Sequence, residues 1–539
     1  MLSFKRDYTT RTITSKFKLL PEYKLKCGLE IHTQLSTINK LFSLSTNNPF
    51  ADIEKPNYHT SYFDISLPGT QPLLNYEVVL YALRLSLALN CKVNLNSHFD
   101  RKHYFYGDQP LGYQITQHYS PFSSAGKLRL FKELDAIDEP FKDIAITQLQ
   151  IEQDTGKSTY DATDSMTKVD LNRSNVPLIE MVTEPDFTDL KQIRAFIKKY
   201  QNLVRHLKIS TGDLETGAMR VDVNLSINDH ARVELKNLPN TSSINNAIKY
   251  EYMRQVKMIQ NGEGNKLNHP ETRGWTGSET VKLRSKESVI DYRYMPDPEL
   301  PNISLDNDVV VDVQKTLPLS PDDICNSLLH EPYKLSLKDA KILTFNSNGR
   351  DDLYSNEELR DYYLETFKAY KVLCDEQNIQ FVRKLPANWI IHELLGNMNK
   401  LEVPLKNLRC ILPPEKFADL LVLISDQTLS NSSGKLLLSH ILNNFKENPH
   451  DLNKNIDFEA LIDEYDLHAV SNVNDEELEA ICRQITNELN NEKMIRDIVS
   501  GKKKGSLKFL VGQGMRLSQG RVSAQKFEQT FKKILNVNW

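Results

Sequence analysis

The chain has 539 residues, 40% of them hydrophobic and 26% charged, a balance that excludes a wholly disordered protein and predicts about three or four domains. Its 67 basic and 71 acidic residues give a formal net charge of −4, so a nucleic-acid partner would have to be held by local basic patches. The six cysteines lie far apart and include no Cys-x-x-Cys pair, which argues against a disulfide scaffold and a cysteine zinc site.

The N-terminus is rich in basic and hydroxyl side chains. Residues 1–20 contain five Lys or Arg, six Ser or Thr and one acid, Asp7. This composition is typical of a mitochondrial presequence, although a frayed basic N-terminus would share it. We predict a presequence-like leader at residues 1–24.

Cys27 to His32 has the pattern of a strand, which places Glu30 and His32 on one face. A carboxylate beside an imidazole suits a divalent cation or proton transfer, although a histidine with an ordinary hydrogen-bond partner is commoner. Tyr76 to Asn90 is predicted to be a buried helix. The most apolar stretch, Leu73 to Cys91, still carries two charges and is not expected to span a membrane.

An aromatic and basic segment follows at Phe99 to Gln114. Its five aromatic residues lie on both sides of Arg101, Lys102 and His103. Rings that stack on bases, next to cations that hold phosphates, suit an unpaired nucleotide. A loop packed on the core would have the same composition.

Three acids lie in predicted strands. Glu152 and Asp154 stand at strand spacing beside a glycine turn, where they suit a hard cation. Glu180 is the one acid in the apolar run Val176 to Val182, and a buried carboxylate is costly unless it is paired or bound to metal. The ordinary alternative for Glu180 is an ion pair with a nearby arginine such as Arg173.

A hairpin is the strongest strand prediction. Met219 to Ile227 alternates apolar and polar side chains, and Arg232 to Lys236 repeats the pattern after a polar turn. Parity, with a three-residue loop, pairs Asn224 with Glu234 and Asp222 with Lys236. The polar face of this hairpin is either solvated or the floor of a pocket, and it gathers Arg220, Asp222, Asn224, Glu234 and Lys236.

The remaining chain is predicted to be mainly helical. Several arginines between Glu271 and Tyr294 could hold triphosphate or RNA phosphate, and Asp297 to Pro301 is predicted to be a linker. Residues 501–539 carry nine Lys or Arg against one acid, either as a solvated tail or as a surface for a phosphate backbone. Helices are predicted at Asp189 to Leu207, Glu357 to Cys374, Asn388 to Met398, Pro414 to Phe445 and Asn474 to Ile498.

Long motifs in a fixed order carry a resemblance to a known family. From about Leu25 to the C-terminus the chain resembles the B subunits of glutamyl-tRNA(Gln) amidotransferases, most densely up to residue 301. The motifs are GLEIHTQL (28–35), LPGTQPLLN (67–75), FDRKHYFYGDQPLGYQIT (99–116), IEQDTGKS (151–158), VDLNRSNVPLIEMVTEPDF (169–187), GAMRVDVNLSI (217–227), VELKNL (233–238), ETRGW (271–275), DYRYMPDPELP (291–301), NWIIHELLGNMN (388–399) and GSLKFLVGQGMRLSQGRV (505–522).

The resemblance implies an α+β protein built in three parts. These are a cradle-shaped mixed β-sheet catalytic domain at 25–300, an all-α helical domain at 301–412 and a small helical tail domain at 413–539 that binds tRNA. Such a protein phosphorylates the γ-carboxylate of glutamate on tRNA(Gln) with ATP. Ammonia from glutamine, released by an amidase-type A subunit, then displaces the phosphate. A small third subunit bridging A and B, and a location in the mitochondrial matrix, are also expected.

The resemblance also assigns roles to individual residues, with Mg²⁺ and ATP as the expected cofactors. The metal site is expected at Glu30, His32, Glu152 and Glu180, and the catalytic residues at Asp222, Glu234 and Lys102. The cations expected to contact ATP phosphates or the tRNA 3′ end are Arg101, Arg220, Lys236, Arg273, Arg284 and Arg293. The expected tRNA contacts of the tail are Lys502, Lys503, Lys504, Lys508, Arg516 and Arg521.

The chain departs from the family pattern in three ways. Gln153 stands where the family usually has a second acid, and Leu111 stands where it often has lysine. Ser43 and Ser45 occupy a stretch in which many relatives carry zinc-binding cysteines, so no zinc is expected. The departures leave one alternative from another class, a tRNA-binding scaffold in the same complex that has lost its kinase chemistry. A free-standing metal-dependent phosphohydrolase would leave the basic tail without a role.

Overall fold

The computed structural model describes residues 17–49, 55–161, 163, 165–285, 291–345, 353–447, 456–465, 467–468, 475–488, 495, 498–499, 504–517, 522 and 524–537. The chain divides into two compact units, Met1–Pro321 and Asp322–Trp539. Strands and helices mix in the first unit and the second is helical, so the predicted α+β class is confirmed. No helix in the described ranges is long and apolar enough to cross a membrane.

The first unit is built on a nine-stranded sheet with the order β14-β13-β12-β11-β1-β10-β7-β6-β2. Strand β1 lies at its centre and runs antiparallel to both neighbours, β10 and β11. The strands are β1 (Leu25–Gln34), β2 (Lys92–Val93), β3 (Asn96–Ser97), β4 (Asp100–His103), β5 (Tyr113–Thr116), β6 (Ser123–Phe131), β7 (Phe141–Gln153), β8 (Lys157–Asp161), β9 (Met166–Asp170), β10 (Pro177–Thr183), β11 (Met219–Ile227), β12 (Val233–Lys236), β13 (Glu271–Trp275), β14 (Thr280–Ser285), β15 (Met295–Pro296) and β16 (Ile303–Ser304).

Helices cover one face of this sheet. The apolar side chains of α3, such as Phe196 and Tyr200, share one core with Leu29 and Ile31 of β1, and the Tyr200 hydroxyl lies 3.0 Å from that of Thr33. The helices of this unit are α1 (Tyr76–Ala88), α2 (Lys132–Asp135), α3 (Leu190–His206), α4 (Thr241–Gln260) and α5 (Asn307–Thr316), with a 3₁₀ turn at Gly264–Leu267. The helices predicted at 76–90 and 189–207 are therefore confirmed within two residues at each end.

The chain from Phe17 to Lys24 packs against helix α4. The Tyr252 side chain is fully buried, and its hydroxyl lies 3.0 Å from the backbone nitrogen of Leu20 and 2.9 Å from the carbonyl oxygen of Tyr23. The ring of Phe17 meets the Tyr252 ring edge-on at 5.8 Å. These residues, predicted as the end of the leader, lie on the first unit.

The predicted hairpin is confirmed in its register. Asn224 lies opposite Glu234, as parity requires. The Lys236 ammonium lies 2.7 Å from the Asp222 carboxylate, in agreement with the predicted pairing of those two positions.

The segment predicted as a linker is tied to the first unit. The Asp297 carboxylate accepts a 2.6 Å hydrogen bond from Arg101, and the Asp297 backbone nitrogen bonds the carbonyl of Phe99. A buried ion pair fixes this proline-rich stretch, whose composition alone indicates only a turn.

The second unit is helical, and the single helix predicted at 414–445 is wrong. Of the helix predicted at 474–498, residues 475–488 are helical, and 489–494, 496 and 497 lie outside the described residues. The stretch 414–445 is two helices, separated at 426–430, where the Asp426 side chain accepts a hydrogen bond from the backbone of Thr428. The helices are α6 (Pro321–Leu329), α7 (Leu337–Thr344), α8 (Asn356–Glu376), α9 (Leu385–Ala387), α10 (Leu395–Leu401), α11 (Leu405–Ile411), α12 (Pro414–Ser425), α13 (Asn431–Glu447), α14 (Phe458–Glu464), α15 (Asp475–Glu488), α16 (Leu507–Leu517) and α17 (Ala524–Ile534), with a π-helical stretch at Asn388–Leu394 and a 3₁₀ turn at Lys504–Ser506.

Among the described residues near the C-terminus, helices α15 to α17 share a small core of their own. Cys482 of α15 packs with Leu510 of α16 and with Phe527 and Phe531 of α17. The Lys533 ammonium also pairs with Glu479 at 2.7 Å.

Candidate functional site

The side chains of β1 that point away from the helices begin the candidate site. Successive side chains of a strand alternate between faces, so Glu30 and His32 share the face opposite to the core residues Leu29 and Ile31. Asp222 of β11 lies directly across from Glu30, and Glu180 of β10 directly across from His32. Sheet register alone therefore gathers three acids and an imidazole on this polar face.

The first cluster consists of His32, Glu152 and Glu180. The His32 Nε2 atom lies 3.2 Å from Glu152 Oε1 and 3.8 Å from Glu180 Oε1. One ligand atom from each residue lies within 4.8 Å of the others. Two carboxylates and an imidazole at this spacing form a donor set for a divalent cation.

The electrostatics of the first cluster indicate a need for positive charge. Burial and the Glu152 carboxylate raise the pKa of Glu180 to about 7. Burial lowers the pKa of His32, but Glu180 and Glu152 outweigh it and raise that pKa to about 9. A proton on His32 thus offsets the carboxylates, and a metal ion would replace it.

The second cluster consists of Glu30, Asp222 and Glu234, and it already contains a cation. The Lys236 ammonium lies 2.7 Å from Asp222 and 3.0 Å from Glu234. Burial lowers the pKa of Lys236, but Asp222 and Glu234 raise it by more, and the net effect is a pKa above the ordinary value. This ammonium therefore stays charged. Glu30, expected in the metal site, accepts a 2.8 Å hydrogen bond from Asn224 within this second group.

Two further cations lie near the first cluster. The Lys102 ammonium stands 5.0 Å from the ring centroid of Tyr292. Burial lowers the pKa of Lys102, but the field of Glu152 and Glu180 raises it above its ordinary value. Arg220 pairs with Asp154 at 2.9 Å, and its buried Nε has no hydrogen-bond partner among the described residues.

The other predicted arginines are placed differently. Arg101 forms an ion pair with Asp297, and Arg273 forms one with Glu251 of α4 at 3.4 Å, on the helix-covered face of the sheet. The Arg293 side chain is exposed, and its Nε lies 4.0 Å from Asp291. The side chain of Arg284 lies outside the described residues. A phosphate contact by these four arginines stays a prediction.

The geometry settles the pairing considered for Glu180. Arg173 is not the partner of Glu180: it donates to the carbonyls of Thr155 and Gly156 and lies 3.8 Å from Asp154. Glu180 instead accepts a hydrogen bond from Gln150.

The basic tail is only partly described. The Lys508 side chain is exposed on α16. The side chains of the other five predicted contacts lie outside the described residues, namely those of Lys502, Lys503, Lys504, Arg516 and Arg521.

One buried polar group that sequence reasoning missed is a hub around Asp64. Its carboxylate accepts hydrogen bonds from Ser43 at 3.0 Å, Ser45 at 2.8 Å and Asn175 at 2.9 Å, and it pairs with Lys40 at 3.3 Å. Lys40 and Asp64 are both fully buried. The only signal in the sequence is the serine pair that replaces the family's cysteines.

The hub supports the chain that enters β10. The backbone of Asn175 bonds the carbonyl of Asp154, and Val176 leads directly into the strand that carries Glu180. Through Asn175 the hub is therefore connected to the start of β10, which carries Glu180, and to the residue that follows β7, which carries Glu152.

Comparison with known proteins gives consistent results over the whole chain. Residues 25–311 match the family described as the GatB/GatE catalytic domain, and residues 374–535 match the family described as the GatB domain. A protein of Kluyveromyces lactis is 75% identical over the full length of both chains, and one of Zygosaccharomyces rouxii is 65% identical, again over both full lengths. A protein of Saccharomyces cerevisiae is 62% identical over 96% of each chain. All three are named as mitochondrial B subunits of glutamyl-tRNA(Gln) amidotransferase.

Proposed function

Because the chain belongs to the family of glutamyl-tRNA(Gln) amidotransferase B subunits, we propose that the polar face of its sheet is where tRNA-bound glutamate is activated. The chain is part of a mitochondrial, ATP-dependent enzyme that converts Glu-tRNA(Gln) to Gln-tRNA(Gln). The observation that carries the proposal is the pair of acidic clusters on neighbouring strands, one joined to a histidine and the other to a lysine.

The reaction needs an activated carboxylate, because a carboxylate is a poor acceptor for ammonia. An oxygen of the glutamate γ-carboxylate attacks the γ-phosphorus of ATP, the bond to the bridging oxygen breaks, and ADP leaves. Ammonia then attacks the carbonyl carbon of the acyl phosphate, the carbon–oxygen bond to phosphate breaks, and inorganic phosphate leaves. The enzyme must hold the negative charge of both steps and remove a proton from the incoming nitrogen.

The second cluster suits both tasks. Lys236 supplies a fixed positive charge between Asp222 and Glu234. One of these carboxylates accepts the proton that ammonia loses, while Lys236 and Lys102 hold the phosphoryl oxygens and the carboxylate. These roles match the catalytic assignments that the resemblance implies for Asp222, Glu234 and Lys102.

The first cluster fits Mg²⁺. The mutual repulsion of Glu152 and Glu180, which raises the pKa of Glu180, is relieved when a cation binds. His32, Glu152 and Glu180 would hold the ion, with Glu30 close by in the second cluster. Bound there, Mg²⁺ would neutralise charge on the phosphates of ATP.

The remaining parts of the proposal concern partners. An amidase-type A subunit supplies ammonia, a small third subunit bridges A and B, and the basic residues of the tail contact tRNA. We also propose that the protein binds no zinc, because Asp64, Ser43 and Ser45 form a hydrogen-bonded hub in the stretch that carries cysteines in relatives.

The rival, a scaffold without kinase chemistry, rests on Gln153 and Leu111. Gln153 follows Glu152 in β7, so strand alternation turns its side chain to the other face. An amide at this position therefore does not remove a metal-ligand atom from the first cluster, which consists of His32, Glu152 and Glu180. Leu111 packs against the core of the first unit. Neither departure alters the two clusters.

ATP hydrolysis by the complex with the A subunit, measured with and without Glu-tRNA(Gln), tests the proposal. Charged tRNA should stimulate turnover, and added glutamine should yield Gln-tRNA(Gln). Tight tRNA binding without stimulated turnover would favour the scaffold.

The variant Asp222→Asn tests the catalytic assignment. It should abolish phosphoryl transfer, because the amide removes the charge that fixes the Lys236 ammonium, which holds the phosphoryl oxygens. It should leave tRNA affinity nearly intact, because the amide keeps the shape of the side chain. Asp229→Asn, in the exposed turn of the same hairpin, is the matched control and should behave as wild type. Equal loss of turnover and tRNA affinity in Asp222→Asn would overturn the assignment.

A further inference from the structure

One carboxylate of the second cluster is held from the neighbouring strand. Glu234 of β12 lies directly opposite Thr272 of β13, and these two strands run parallel. The Thr272 hydroxyl donates a 2.9 Å hydrogen bond to Glu234 Oε2, and the other oxygen, Oε1, lies 3.0 Å from the Lys236 ammonium. Each oxygen of this carboxylate therefore has a partner of its own.

The hydrogen bond from Thr272 fixes the rotation of the Glu234 carboxylate. The last torsion of a glutamate side chain has a broad energy profile, so a carboxylate that is not held turns easily. With Oε2 bound by Thr272, Oε1 stays directed at Lys236, which Asp222 holds from the other side at 2.7 Å. The position of the Lys236 ammonium thus depends on Thr272 through Glu234.

The strand that carries Thr272 is anchored on the opposite face of the sheet. The next residue, Arg273, lies 3.4 Å from the fully buried Glu251 and donates a 3.1 Å hydrogen bond to the Thr280 hydroxyl. The pairing of β13 with β14 also shifts register between Thr272 and Arg273, and such a shift changes the direction of the side chains beside it. Strand β13 is therefore fixed from the helix-covered face, while Thr272 reaches the polar face.

We propose that Thr272 is a positioning residue of the reaction, which orients Glu234 and through Glu234 sets the position of the Lys236 ammonium. Lys236 holds phosphoryl oxygens in the proposed reaction, and groups that stabilise a charged transition state act best when they are fixed in place beforehand. Thr272 is 2% exposed, so it acts through Glu234 and not on the substrates. The inference rests on the proposed function, because that function gives Lys236 its task.

Steady-state kinetics of Thr272→Val in the complete complex test this role, because valine keeps the shape of threonine and removes the hydroxyl. The kcat of tRNA-stimulated ATP turnover should fall by roughly 10- to 150-fold, the factor that corresponds to one hydrogen bond to a charged group. The KM values for ATP and Glu-tRNA(Gln) should stay near those of the wild type, because no substrate contact is removed. Thr272→Ala should show the same loss of kcat, and Thr272→Ser, which keeps the hydroxyl, should restore most of it.

Thr280→Val is the matched control. Thr280 is also buried, and its hydroxyl also donates to a glutamate, with a 2.8 Å hydrogen bond to Glu251 on the helix-covered face. This variant should lower the melting temperature as much as Thr272→Val does and leave kcat near the wild-type value. An equal decrease of kcat in the two variants, a wild-type kcat in Thr272→Val, or no recovery in Thr272→Ser would overturn the inference.

Acetylation of Lys236 by acetic anhydride, followed by mass spectrometry, separates this inference from the proposed function because it needs no turnover. Only a neutral amine is acetylated, and although burial favours that form, the two carboxylates keep Lys236 charged.

In Thr272→Val the acetylation rate of Lys236 at a fixed pH should rise by roughly tenfold, the effect of one weakened ion pair on the pKa of this amine. The rate at Lys92, which is exposed on β2, is the internal reference, and neither Thr272→Ser nor Thr280→Val should change the ratio of the two rates. A rise in a complex without tRNA-stimulated turnover would uphold the positioning role and refute the activity. An unchanged rate in an active complex would refute the positioning role alone.

Discussion

Replacing Asp64 by asparagine should destabilise the first unit strongly. The change keeps the shape of the side chain but leaves the Lys40 ammonium, 3.3 Å away and fully buried, without its counter-charge. Breaking a buried ion pair by removing one partner destabilises a protein by about 3–5 kcal/mol. The new amide group would also face the donors Ser45 Oγ and Ser61 N, which now bond the same carboxylate oxygen at 2.8 Å.

The assay is calorimetry of the purified complex, followed through the unfolding transition that contains the first unit. For a unit of this size, 1 kcal/mol shifts the midpoint by about 2 °C, so a decrease of about 6–10 °C is expected. The double variant Lys40→Met with Asp64→Asn removes both charges. Its midpoint should fall by less than the sum of the decreases in the two single variants. Lys191→Met, which breaks the exposed pair with Asp138, is the control and should leave the midpoint unchanged. A decrease in Asp64→Asn no larger than in this control would refute the reasoning.

Three further predictions concern the metal site and the tail. Glu180→Gln should raise the Mg²⁺ concentration for half-maximal ATP turnover by more than about tenfold, because a metal ligand is lost. The melting temperature should not fall, because one of two repelling carboxylates is removed. An unchanged Mg²⁺ titration would contradict the assignment. Lys508→Ala should reduce the slope of log affinity for tRNA against log salt concentration by roughly 1, whereas an equal slope would mean that this side chain is only solvated. Gly514→Ala should increase hydrogen exchange in helices α16 and α17, since its Cβ would lie 2.7 Å from the Phe527 ring, while Gly512→Ala, with open space around it, should protect them; equal exchange in both variants would contradict the packing.

The local parts of the site could be predicted from the sequence. Period-two alternation and a tight turn leave one register for the β11–β12 hairpin, so Asn224 opposite Glu234 follows from parity. The same alternation places Glu30 and His32 on one face of β1.

The distant parts could not be predicted in this way. Periodicity does not say which strands lie beside β1, and the order β11-β1-β10 is what divides the acids into two clusters. The resemblance therefore places Glu30 with the metal ligands, whereas in the structure the Glu30 carboxylate lies in the cluster of Asp222 and Glu234. Asp64 and Asn175, which meet in the hub, are 111 residues apart, and nothing in either local pattern pairs them.

Tests of the tail follow from its packing. Deleting 501–539 would remove Leu510, Phe527 and Phe531 from the core that they share with Cys482 of α15. Such a deletion would change folding and charge together, and so single exposed lysines are the cleaner probes of tRNA contact.

The contact of Phe17 and Leu20 with Tyr252 sets a limit on maturation of the protein. A protease that cut after residue 24 during import would strip away the partners of a fully buried tyrosine hydroxyl, and with them the ring that packs on it. A cut before Phe17 leaves every one of these contacts intact. If a leader is removed during import, these contacts are kept only when the cut lies before Phe17, and the residues from Phe17 to Lys24 then belong to the folded catalytic unit.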